Sequence, residues 1–163
     1  MAPVLARIDD RQRMHIMDIG LLRISVIDLG ASGTEPQLIR TISVARVVRA
    51  VSGFERLANG DYLLAAAGGS RKHTVFLLDS AGTLKDNFVE SYGFRRTPST
   101  PETEPIWQSI TRQKVASDGV NAYATLSTFD SLWTVDLGKK RVTSAQIPSL
   151  SYRVPQLPTP LPD

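Results

Sequence analysis

The chain has 163 residues, 42% hydrophobic and 21% charged, with no cysteine and a formal net charge of +3. That is the size and composition of one globular domain able to bury a core. It excludes disulfides and thiolate metal sites, and no apolar run reaches the 18 residues of a membrane-spanning helix. The bases are dispersed over Arg71-Lys72-His73, Arg95-Arg96 and Lys139-Lys140-Arg141. A nucleic-acid binder gathers them on one face with interleaved aromatics, so nucleic acid is not an expected partner.

The first unit spans 4–44. Its start, Met1 to Asp10, lacks the basic start and continuous apolar stretch of a signal peptide. Met14 to Met17 belongs to a second strand, and Ile24-Ser25-Val26-Ile27-Asp28-Leu29 is a short apolar run ending in Asp. Leu38 to Ser43 is the outer strand. The second unit, 45–92, is the clearest. Ala50 to Leu57 reads as an inner strand and Ala58-Asn59-Gly60-Asp61 as a hairpin turn, since Asn and Gly tolerate positive φ. Tyr62 to Ala67, His73 to Leu78 and Thr83 to Glu90 follow as strands. Gly68 to Lys72 connects the first two of these, and Asp79-Ser80-Ala81-Gly82 turns the chain into the last.

Residues 93–107 hold three prolines at 98, 101 and 105 and no apolar periodicity, which reads as an exposed insertion. The third unit, 108–148, repeats the order of the second. Lys114 to Ala116, Ala122 to Leu126, Ser131 to Val135 and Arg141 to Ile147 are its strands. The tail, 149–163, is rich in proline and cannot supply a central strand. No stretch shows helical apolar spacing, and the strands are short and rich in Val, Ile, Leu and Tyr.

One phrase is therefore written three times: Ile24 to Leu29, Val75 to Ser80 and Leu132 to Leu137. Self-similarity at a period of roughly 50 residues, with turns between short strands, is the trace of a β-propeller blade. The expected fold is all-β, with four-stranded antiparallel blades. Three blades fall short of the roughly four to eight that close a ring, so the propeller is expected to be incomplete and self-association is a possible outcome. The Asp closing each phrase reads as a turn residue whose carboxylate accepts backbone N–H bonds two residues on. A ring of cation-binding carboxylates is the sharper alternative, disfavoured because these turns belong to the outer part of a blade.

The runs Ile24 to Leu29, Leu38 to Val44 and Leu57 to Leu64 resemble the YVTN-type β-propeller repeat, with its "VID", "TIPVG" and Asp-Gly turn. Ser131 to Pro148 looks similar, and the resemblance covers most of the chain outside the insertion and the tail. Val44-Ala45-Arg46 lacks the family's Gly after the outer strand. The resemblance implies a propeller and an extracytoplasmic setting. It implies no particular activity, since the family is functionally diverse and its larger lactonase-like relatives are enzymes. No catalytic motif of those relatives matches this chain.

The chemistry-bearing residues are sparse. His15 and His73 fall at non-equivalent places in the repeat, and two His without Cys give no zinc spacing. Asp9-Asp10 and Asp18 do not match a calcium loop, and Gly68-Gly69-Ser70-Arg71-Lys72 lacks phosphate-loop spacing. No cofactor or metal is expected. Tyr62, Phe76, Tyr123 and Trp133 lie on strands and read as packing residues. A binding site, if present, belongs on one rim: Arg46 and Arg49 between the first two units, Ser70, Arg71, Lys72 and His73, and the equivalent Phe129 and Asp130. The positive bias of these residues suits a small anionic ligand or a protein partner. The expected function is a non-catalytic binding module. The alternative is a portion of a lactonase-like or other hydrolase propeller whose active residues lie outside this chain.

Overall fold

In a computed structural model of the chain, residues 4–68, 73–90, 114–126 and 131–146 are described. The insertion at 93–107 and the tail at 149–163 lie outside them. The described residues form twelve strands and no helix. Strands β1 (Val4–Ile8), β2 (Arg13–Asp18), β3 (Arg23–Asp28) and β4 (Gln37–Ser43) make the first sheet. The second contains β5 (Val48–Arg56), β6 (Tyr62–Gly68), β7 (His73–Leu78) and β8 (Leu84–Glu90). The third contains β9 (Lys114–Ser117), β10 (Asn121–Leu126), β11 (Ser131–Asp136) and β12 (Arg141–Gln146). Each sheet is an antiparallel meander in chain order. The all-β expectation and the three four-stranded sheets are thus met. Among the described residues no helix is long and apolar enough to cross a membrane.

The turns follow from short side chains that accept backbone N–H bonds. Asp28 Oδ1 accepts from Gly30 at 2.9 Å, Asp79 Oδ1 from Ala81 at 2.9 Å and Asp136 Oδ1 from Gly138 at 3.0 Å. The repeated Asp is therefore a turn residue in all three sheets, bonded two residues on as the sequence suggests. The start of β5 differs from expectation by two residues. Register shifts between Val48 and Ala50 and between Val51 and Gly53 bulge this strand and hide its alternation.

Burial distinguishes the middle sheet from its neighbours. On β6 every residue from Tyr62 to Ala66 is buried, and on β7 every residue from Thr74 to Leu78. Successive strand residues point to opposite faces, so both faces of this sheet are covered. Tyr62, Leu64, Phe76 and Leu78 join Met17, Ile24 and Val26 of the first sheet in one core. Leu63, Ala65, Val75 and Leu77 join Ala122, Ala124 and Val135 of the third in another, with Trp133 packed against it. A fully buried side chain such as Leu64 contributes about 1.5–3 kcal/mol. The first strands meet: β5 lies against β1 on one side and β9 on the other. An Arg7–Glu55 ion pair at 3.0 Å links β1 to β5. It is half-exposed, so its contribution is below about 1 kcal/mol.

Two turn glycines give a graded test of this packing. Both Gly82 (φ +86°) and Gly119 (φ +93°) sit in the left-handed region. A Cβ on Gly82 would overlap Ile42 Cγ2 of the first sheet, whereas one on Gly119 would meet nothing within 4 Å. Gly119→Ala should therefore cost only backbone strain, about 1–2 kcal/mol. Gly82→Ala should add an overpacking cost of about 1–3 kcal/mol. Urea unfolding of the two variants checks this, and equal costs would contradict the contact between the second sheet's turn and Ile42.

Candidate functional site

Each sheet's first hairpin turn ends its inner strand, and because the inner strands are adjacent the three turns come together. They frame a cleft of about 380 Å³ lined by Asp9-Asp10, Leu57-Ala58 and Ser117-Asp118, with Arg56 among them. Asp118 is fixed by its own turn. Its carboxylate accepts from the backbone N–H of Val120 (2.9 Å) and Asn121 (2.7 Å) and from Tyr123 Oη (2.6 Å). The Asn121 N–H bond and the Tyr123 hydroxyl hold this carboxyl well below the usual carboxylate range. The Arg56 guanidinium lies over the Tyr62 ring, 5.3 Å from its centroid. Arg56 Nη1 donates to Leu57 O, while Nε is buried with no partner among the described residues.

Beneath the cleft runs a buried polar chain. Asp9 Oδ2 accepts from Arg13 Nε at 2.9 Å and Nη2 at 2.6 Å. Asp9 Oδ1 accepts from the backbone N–H of Arg11 and Arg13, both at 3.0 Å. Burial alone would raise this carboxyl, but the bonds from Arg13, His15 and the backbone outweigh it and hold it well below its ordinary value. His15 Nε2 lies 3.1 Å from Asp9 Oδ2, and His15 Nδ1 lies 3.0 Å from Tyr62 Oη. A carboxylate can only accept, so Nε2–H donates to Asp9 and Nδ1 accepts the Tyr62 hydroxyl. Burial pushes the His15 imidazole below its usual value, which suits this neutral form. The Asp–His–hydroxyl order is that of a nucleophile and its base. Here the chemistry is closed off, because His15 is 1% exposed and Tyr62 0%. The chain instead pins the first sheet to the second.

Two further clefts lie between the second and third sheets. One, of about 630 Å³, is lined by the Asp61–Lys85 ion pair (2.7 Å) within the second sheet and crossed by the Asp86–Lys140 pair (2.8 Å) between the two sheets. The other, of about 370 Å³, is lined by His73, Phe88, Trp133 and Thr143. Among the described residues no three His, Asp or Glu side chains are grouped to hold a metal ion.

The residues singled out from the sequence are only partly described. Ser70, Arg71, Lys72, Phe129 and Asp130 lie outside the described residues. Arg46 is exposed in the tight turn joining β4 to β5, which is closed by Val47 and Val48 N–H bonds to Val44 O at 2.9 and 3.0 Å. Arg49 is exposed on β5. No ion pair among the described residues engages either arginine. His73 borders the smaller inter-sheet cleft, and the two arginines border none of these three clefts. Tyr123 also departs from the packing role expected of it: its hydroxyl bonds Asp118 and its ring lies on the face of β10 opposite Ala122 and Ala124. What the sequence does not signal is that Asp9 joins Arg13 and His15 across the first hairpin and that the first turns of the three sheets frame one cleft. No protein-family model matches the chain, and no curated protein matches it.

Proposed function

We propose that the chain is a β-propeller-type binding module, not a catalyst, which takes an acidic protein segment or small anion on the rim carrying Arg46 and Arg49. The propeller reading is supported by three successive meanders with adjacent first strands and by the repeated turn Asp. Against catalysis by this chain stands the sealed state of its one Asp–His–hydroxyl chain among the described residues. The observation that carries the binding surface is the pair of exposed arginines with no carboxylate partner among the described residues, at the opposite end of β5 from the acid-lined turn cleft. Such arginines favour anions by charge and by forked donor geometry.

The test is titration calorimetry of the full chain with a polyglutamate peptide and, separately, inorganic phosphate. Binding by either should weaken at least tenfold in R46E/R49E and fall with added salt. Unchanged affinity in that variant would remove the rim from consideration. Turnover of a lactone or ester by the chain would favour the hydrolase alternative instead.

A further inference from the structure

The two internal interfaces pair faces in one order. Ile24 and Val26 of β3 face the second sheet, and their repeat equivalents Val75 and Leu77 face the third. In return, Phe76 and Leu78 face the first sheet, and their equivalents Trp133 and Val135 face the second. Each sheet thus offers one face, here called the front, to the back of the next. Among the described residues two faces stay unmatched: the back of the first sheet and the front of the third.

The unmatched back is apolar. Cross-strand register sets Ile8 beside Met14, Met14 beside Ile27 and Ile27 beside Leu38, one row over all four strands. Ile8 is 59% exposed and Leu38 63%. An apolar row of this kind, open to water, marks an interaction surface. The unmatched front carries the row Ala116, Tyr123, Thr134 and Thr143. A front with polar groups is covered once already: in the row Arg7–His15–Val26 of the first sheet, Arg7 pairs with Glu55 and His15 with the Tyr62 hydroxyl of the second sheet, while Val26 joins the shared core.

We infer that a second copy of this chain supplies the missing partner: the front of its third sheet covers the Ile8–Met14–Ile27–Leu38 row, and the reverse contact closes the pair. The contact is head-to-tail, so it closes only if the rotation per sheet completes a circle. Three described sheets per chain give six for the pair, within the roughly four to eight of closed propellers. Closure rests on the propeller reading proposed above. The face pairing rests only on the two interfaces inside the chain.

Light scattering on the full chain tests this over a hundredfold range of concentration. The expected mass is twice the 17.9 kDa of one chain, constant at high concentration. M14K on the back and T134K on the front should each weaken pairing at least tenfold, with circular dichroism confirming that the sheets remain. Should either fail to fold, L38K and T143K, at exposed positions of the same two rows, replace them. An equimolar mixture of a back variant and a front variant should pair more tightly than either variant alone, through one intact contact, because the unaltered front of one meets the unaltered back of the other. A monomer at all concentrations overturns the second copy as occupant and leaves the propeller reading standing. A mass that keeps growing with concentration overturns closure and the six-sheet ring with it. A front variant that still pairs by itself overturns the head-to-tail contact in favour of back against back.

Discussion

Tyr62→Ala is expected to be the most damaging single substitution in the described residues. The ring is fully buried, stacks on Phe54 at 5.9 Å between centroids and lies under Arg56. Deleting it removes a large core side chain, at about 3–5 kcal/mol. It also strips His15 Nδ1 of its donor, leaving a buried acceptor unpaired at about 1–3 kcal/mol. Against a total stability of about 5–15 kcal/mol, the variant should be largely unfolded at 37 °C. Tyr62→Phe separates the two losses, since it keeps the ring and deletes only the hydroxyl. Urea denaturation should place Tyr62→Phe about 1–3 kcal/mol below the unaltered chain. A neutral Tyr62→Phe would show that the hydroxyl does not tie the two sheets.

Acid should unfold the protein in two stages, and Asp9 and His15 assign them. His15 is held below its ordinary value of 6.5 in the folded state, so the unfolded chain binds the extra proton first. Stability is full above pH 6.5 and falls as pH drops below it. Asp9 is held below its ordinary 3.8, so the stability it contributes is present above that value and is lost as pH falls further. Melting temperature against pH should therefore decline gently below 6.5 and steeply below 4. His15→Gln should flatten the first decline and leave the second. Asp9→Ala should cost about 3 kcal/mol at neutral pH by leaving Arg13 and His15 without their shared acceptor, and should reduce the second decline. A first decline that persists unchanged in His15→Gln would show that another group titrates there.

The strands were legible because their punctuation is local. An Asp followed by a small residue or Gly marks a turn within four residues, and alternation between turns marks a strand. His73 to Leu78 is read from the sequence with the limits it has in the structure. Where alternation is broken by a bulge, as at the start of β5, the reading slips by two residues. The Asp9–His15–Tyr62 chain was not legible, although all three residues are conspicuous. His15 and Tyr62 are 47 positions apart, and their meeting depends on which faces of two sheets oppose. The turn cleft depends likewise on three inner strands lying side by side. Tyr123 was not legible as a surface residue, because an aromatic on a strand more often points inward, whereas β10 turns its alanines to the core.

The uneven burial of the three sheets sets the order in which the molecule comes apart. Each meander closes through neighbouring hairpins, so most of its pairing is between residues close in sequence. Such a chain behaves as a row of coupled units whose stability is a sum over units and their junctions. The middle unit has two junctions in this chain, and each flanking unit has one. In a single unpaired chain opening therefore begins at a flank, and amide hydrogens of β6 and β7 exchange last.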